Sequence, residues 1–195
     1  MMKSVAKLIR GITVPPAVVS FLLVLLWCRR TDVIGNAVDF WLSILFLAMV
    51  PVLAYPLQRL LPTFRAQGHR GARKLAFILS IGGYIAAFAC SLARGAVPNL
   101  AYIDAVYLCS VLVLTLLNLL TPWHASGHAC SIVGPVALLG CFFGLPAVLG
   151  GALVVALSLW SSVYLKRHTI GEYLLGAFAP LLSGVLMYFV FWPSF

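Results

Sequence analysis

Residues 160–172 read W-S-S-V-Y-L-K-R-H-T-I-G-E. Nowhere else late in this very apolar chain do cations, a histidine and an acid crowd together. Upstream, residues 123–128 form a second polar knot, W-H-A-S-G-H. Three of the four histidines lie in these two stretches, and the residues between them are apolar or small apart from a few hydroxyls. This pattern predicts two membrane-embedded hairpins that bring the knots together at one face.

Composition sets the solvent. The chain has 195 residues, of which 63% are hydrophobic and 9% charged, and its mean hydropathy is +1.09. A soluble domain carries roughly 25% charged residues, so this one has no water-compatible surface to spare. Each membrane crossing needs about 20 mainly apolar residues. The expectation is an all-α integral membrane protein, a single multi-pass domain over residues 1–195 in a prokaryotic cell membrane. The net charge of +9 does not imply nucleic acid, because cations beside apolar spans set orientation. The five cysteines are scattered with no CxxC pattern, which predicts neither a disulfide framework nor a thiolate metal site.

About seven spans are expected. The first, with its loop, occupies residues 1–37: a basic start with Lys3, Lys7 and Arg10, then an apolar run from Ile12 to Trp27 with Pro15 and Pro16 near its beginning. The second runs from Val38 to Leu57, kinked at Pro51 and Pro56. A strongly basic loop follows at residues 59–74, in which His69 reads as an exposed loop histidine. Later spans are expected near Leu75–Leu92, Leu100–Leu120, Ala129–Phe143, Ala147–Leu165 and Tyr173–Trp192. Asp39 and Asp104 fall near span starts, where partial solvation would explain them. Ten cations lie in the N-terminal segment, the 59–74 loop and Lys166–Arg167, against Arg29, Arg30 and Arg94 in the alternate loops. That bias predicts both polar knots at the cytoplasmic face.

The knots carry the chemistry. The short G-L-P turn at 144–146 makes the fifth and sixth spans antiparallel neighbours, so both knots end at one height. His124 and His128 are four apart and share a face if helical. Ser126 would cap the fifth span, and the free N–H groups there attract an anion. Gly127 would let that anion approach the backbone. His168 and Glu172 are also four apart. A carboxylate beside an imidazole orients it and raises its basicity, which prepares it as nucleophile or base.

A-S-G-H at 125–128 resembles the P-S-G-H motif of the type 2 phosphatidic acid phosphatase superfamily (PAP2). Residues 161–172 resemble that family's third motif, S-R-x5-H-x3-D, keeping Ser161, His168 and the four-residue step to an acid. The resemblance covers residues 100–192 and implies a PAP2-like helical bundle core. It implies hydrolysis or transfer of a lipid phosphate or pyrophosphate, of prenyl phosphate or phosphatidate type, without metal or other cofactor. In that mapping His168 attacks phosphorus, Glu172 orients it and His128 protonates the leaving group. Ser126 and the Gly127 backbone hold phosphate oxygens. The family's K-x6-R-P motif is absent, Ser162 stands at the third motif's arginine, and Ala125 stands at the proline of the P-S-G-H motif. The chain is in this respect similar to a divergent branch lacking those arginines, and His124, Lys166 and Arg167 are the candidates to replace them.

Two other readings use the same stretches. His124, His128, His168 and Glu172 are good metal ligands and would suit zinc or non-haem iron in a metal-dependent membrane enzyme. A catalytically degenerate PAP2-like protein would bind lipid only, its basic residues anchoring it to anionic headgroups among the surrounding membrane lipids.

Overall fold

The computed structural model describes residues 2–193, without the side chain of His69. Its described residues form helices and no strand. An amphipathic helix α1 (Met2–Ile12) leads into α2 (Pro15–Arg29). The single turn α3 (Thr31–Ile34) follows, then a broken segment: α4 (Ala37–Ser43), a π-helical stretch (Ile44–Met49), α5 (Val50–Val52) and α6 (Ala54–Leu60). The short α7 (Pro62–Ala66) precedes four long helices and one shorter one. These are α8 (Gly68–Ala93), α9 (Pro98–Leu120), α10 (Gly127–Phe143), α11 (Leu145–Tyr164) and α12 (Ile170–Phe191).

Four helices are long and apolar enough to cross a membrane: Arg70–Arg94, Pro98–Leu120, Leu145–Tyr164 and Ile170–Phe191. The pair α1–α2 is bent by 51°, and Ala37–Val52 meets Ala54–Leu60 at 42°; counting each pair as one span gives six. Helix α10 has 17 residues, about 26 Å at 1.5 Å per residue, somewhat short of the ~30 Å hydrocarbon core. The second expected span does bend, but its break falls at Leu53, between Pro51 and Pro56. Helix α1 is an element that the sequence reading treated only as a basic leader.

The bundle is built around α9. Its most apolar window is 61% buried, against 17–28% for the other three spanning helices. It packs on α12, α8 and α10, while α10 also packs on α11, α12 and α2. Leu22, Leu23, Leu26, Leu100 and Ile103 are fully buried at the α2–α9 side of this core. Outward, Leu119, Leu149, Leu153 and Phe189 are each more than 60% exposed. So much uncovered apolar surface fits acyl chains and not water.

Local chemistry fixes the ends. Gly144 carries φ +71°, ψ −155°, a conformation essentially restricted to glycine, and it reverses the chain between α10 and α11. Pro98 and Pro146 stand in the first turns of α9 and α11, where no intrahelical N–H is needed. The two aspartates are not partly solvated, as expected from their positions, but buried: Asp39 is 5% exposed and Asp104 1%. Helix packing encloses them, and polar partners replace water. Asp39 accepts from Arg94 Nε at 2.6 Å and from Asn36 Nδ2 at 2.7 Å. Asp104 bonds to the Ser91 hydroxyl.

The adjacent glycines Gly82 and Gly83 differ in their surroundings. A Cβ on Gly83 would sit 2.5 Å from the Phe46 carbonyl oxygen and 3.2 Å from Val50 Cγ1, whereas one on Gly82 meets nothing within 4 Å. A backbone oxygen cannot step aside as a side chain can. Gly83→Ala should therefore lower stability by about 1–3 kcal/mol through overpacking. Gly82→Ala should leave the thermal unfolding midpoint in detergent unchanged or slightly raised.

Candidate functional site

The two polar knots meet at one end of the bundle, and Glu172 joins them. Thr169 is the N-cap of α12, and its hydroxyl accepts from Glu172 N at 3.2 Å. The Glu172 carboxylate reaches back, its Oε2 accepting from Thr169 N at 2.8 Å. This is a capping box, two orphan donors satisfied reciprocally. Its Oε1 then crosses to the other knot and accepts from His124 N at 3.4 Å. The Glu172 carbonyl accepts from Ser126 N at 2.9 Å. One residue thus holds the entrances of α10 and α12 together through two backbone contacts.

The packing beneath these bonds is tight. Gly176, one turn further along α12, lies so close to the Ser126 backbone that a Cβ would approach its carbonyl oxygen to 2.2 Å. Ser126 is fully buried, and its hydroxyl caps α10 by accepting from Ala129 N at 3.2 Å, as its position predicts. Gly127 opens the helix with no neighbour nearer than 3.8 Å to an added Cβ.

The histidines differ in setting. His124 precedes α10 in a non-helical stretch, so it does not share a helical face with His128. The Ser126 cap starts the helix only after it, and what His124 offers Glu172 is its backbone N–H. Its side chain is exposed. His128 lies in the first turn of α10, and its Nε2 is 3.3 Å from the Thr13 hydroxyl at the end of the α1 segment. His168 sits in the α11–α12 loop with its side chain 9% exposed, Nδ1 3.6 Å from Glu172 Oε2. That gap is too long for a hydrogen bond, and Nδ1 is buried without a partner. Burial holds the His168 pKa below the ordinary imidazole value; the like charges of Arg10 and Arg73 push the same way, and Glu172 opposes them. The imidazole is therefore neutral near pH 7. The bond from Ser126 N to Glu172 O at 2.9 Å sets the first turn of α10, which carries His128, beside the residue that His168 faces. The structure thus brings His128, His168 and Glu172 to one place.

Lys166 and Arg167 are exposed beside His168. Lys166 takes φ +52°, the left-handed turn that commonly closes a helix, and Arg167 N donates to Ser162 O at 3.0 Å. Two site residues were not foreseen from sequence. Thr13 is one. The other is Arg10, whose Nη1 donates to the Ser162 hydroxyl at 3.1 Å. The amphipathic spacing of Met2, Val5, Leu8 and Ile12, all exposed apolar residues, was the available signal that residues 2–12 form a helix. Nothing in the sequence tells where that helix docks.

Among the described residues, no group of three or more His, Cys, Asp or Glu side chains is disposed to hold a metal ion. His124 contributes backbone and not side chain to the shared contacts, so the four-ligand alternative gains no support. No family model matches the chain, and neither a curated protein nor a solved structure matches it.

The capping box generates a stability prediction. Thr169→Ala should cost about 1 kcal/mol and loosen the α12 entrance, seen as faster backbone hydrogen exchange at residues 124–128 as well as 169–172. Thr169→Ser should retain most of the stability and the protection.

Proposed function

We propose that this chain is a seven-span membrane protein with a PAP2-like core that hydrolyses, or transfers, a lipid phosphate or pyrophosphate at the cytoplasmic face. The substrate class is prenyl phosphate or phosphatidate. Helix α10 and the two bent pairs complete the seven spans. The observation that carries the reading is the tie through Glu172 of the two segments that bear His128 and His168.

The chemistry follows from the tautomer. With Nδ1 facing the Glu172 carboxylate, a proton on Nδ1 leaves the Nε2 lone pair of neutral His168 free to attack phosphorus. Closing the 3.6 Å gap by roughly half an ångström would make a normal hydrogen bond. Glu172 would then offset the charge that His168 acquires as the N–P bond forms and the bond to the lipid oxygen breaks. The departing oxygen takes a proton from His128. Water then attacks the phosphohistidine, releasing inorganic phosphate and restoring the imidazole. Arg10 acts on His128 as a like charge. A dianionic substrate reverses the sign of those surroundings and supplies the condition under which His128 holds its proton.

His168→Ala and His128→Ala should each abolish phosphate release from a panel of lipid phosphates in mixed micelles. Glu172→Gln should lower it by orders of magnitude. Wild-type turnover should persist in chelator; turnover lost in chelator and restored by zinc or iron would favour the metal-dependent alternative. If His168→Ala kept wild-type hydrolysis, the mechanism would be wrong.

The acid limb of the rate profile tests the nucleophile separately. Because the His168 pKa is lowered, its neutral form survives to lower pH, so activity should decline only below the ordinary imidazole range near 6.5. Glu172 raises that pKa. The residual activity of Glu172→Gln should therefore have its acid limb displaced to still lower pH. A limb displaced upward would contradict the assignment.

A further inference from the structure

Arg10 and Arg167 meet at Ser162, Arg10 Nη1 donating to its hydroxyl at 3.1 Å and Arg167 N to its carbonyl at 3.0 Å, and Arg73 adds to the same positive field. Arg10 comes from the last turn of α1, Arg73 from the second turn of α8, and Arg167 from the α11–α12 loop. Arg73 and Arg167 both act on Arg10 as like charges. Arg10 and Arg73 act likewise on His168.

The chain has no acid to spare for them. Of its four carboxylates, Asp32 pairs with Arg30, Asp39 with Arg94, and Asp104 bonds to Ser91. Glu172 accepts from the backbone N–H groups of His124 and Thr169 and faces His168. Arg10 is half-buried, and among the described residues it donates to a neutral hydroxyl, Ser162 Oγ, at 3.1 Å. Like charges gathered without a counter-ion, one of them (Arg10) partly desolvated, are unfavourable. They are stable together when an anion sits among them, and guanidinium forks match phosphate oxygens.

We infer that Arg10 and Arg167, with Arg73 adding to the field, form a clamp for a phosphate monoester dianion, and that the N-terminal helix α1 is a wall of the site. The inference rests on the lipid-phosphate reading of the same mouth and says which side chains take the charge. Helix α1 is built for the position. Ala6, fully buried, and Arg10 face the protein, where α1 packs on α11. The opposite stripe, Met2, Val5, Leu8 and Ile12, is exposed and apolar, as in a helix lying in the membrane interface. The 51° bend before α2 turns α1 across the mouth, and Thr13 at that bend touches His128. A phosphate held by Arg10 beside Ser162 would lie next to both imidazoles.

The test uses the full chain, purified in detergent and in nanodiscs. The probes are inorganic phosphate, nanodiscs containing phosphatidate, and nanodiscs containing phosphatidylglycerol, a diester monoanion. The readout is the rise in thermal unfolding midpoint with each probe. Wild type should be stabilised by phosphatidate well beyond phosphatidylglycerol. Stabilisation by inorganic phosphate as well would show that the headgroup alone suffices, and stabilisation by phosphatidate alone that the acyl chains contribute; both outcomes support the clamp. Arg10→Gln keeps a donor for Ser162 and removes the charge. It should fold like wild type and weaken apparent binding about tenfold to a hundredfold, the range of a charged hydrogen bond. Arg10→Lys should recover part of the loss, and Arg59→Ala, an exposed cation not named in this cluster, should recover or lose nothing. If Arg10→Gln binds phosphatidate as wild type does, the clamp is overturned and the phosphatase reading stands. Equal response to phosphatidylglycerol would reduce the cluster to surface attraction and overturn the clamp too. His168→Ala should still bind while losing turnover; binding without turnover in the wild type would instead sink the phosphatase reading and leave the clamp.

Discussion

A single carboxylate governs the architecture of the mouth. Backbone N–H groups at helix starts have no partner within their own helix, and near lipid an unsatisfied one costs several kcal/mol. Glu172 answers this at two helices together: its oxygens take Thr169 N and His124 N, and its carbonyl takes Ser126 N. The entrances of α10 and α12 are therefore fixed to each other before any substrate arrives. His128 rides in the first turn of one helix and His168 immediately precedes the cap of the other, so their relative placement follows from this tie. Gly176 permits it, because only a missing Cβ lets α12 lie against the Ser126 backbone.

The same commitment separates two roles that a carboxylate near a histidine can play. A Glu free to swing could pair with Arg10, Arg73 or Arg167 and neutralise the cluster from within. Glu172 is held instead against its backbone partners and His168. The capping box thus holds a negative charge on the Nδ1 side of His168, with Nδ1 3.6 Å from Glu172 Oε2.

Much of this was legible in the residues. The helix boundaries from 98 onward fall within a few positions of the apolar runs, because Pro98, Gly144, Pro146 and the Ser126 cap punctuate them. The approach of the two knots was legible too, since a turn as short as residues 144–146 leaves α10 and α11 little choice. The T-x-x-E of Thr169–Glu172 was present as a capping signature, but the same Glu was read only through its spacing from His168. His124 was assigned a helical face it does not have, because Ser126 starts the helix two residues later. Asp39 and Asp104 were judged by distance along their helices, when burial depends on what packs beside them. Arg94 and Ser91, both at the α8 end, supply the partners that sequence spacing does not reveal.

The least legible feature is the one that changes the electrostatics most. Lys3, Lys7 and Arg10 ahead of an apolar run look like an orientation signal, and for Lys3 and Lys7, both exposed, nothing contradicts that. Arg10 differs because of the bend. Val14 is extended and Pro15 and Pro16 restart the helix, so α1 folds across the bundle end and does not extend α2 as one straight rod. A straight rod would carry Arg10 out toward water, where it would only anchor. Folded over, it brings a guanidinium to Ser162 and a hydroxyl to His128. The two prolines thus decide whether the chain's first cations serve orientation alone or also complete a site, and a pattern of charges along a sequence does not carry that distinction until the angle is known.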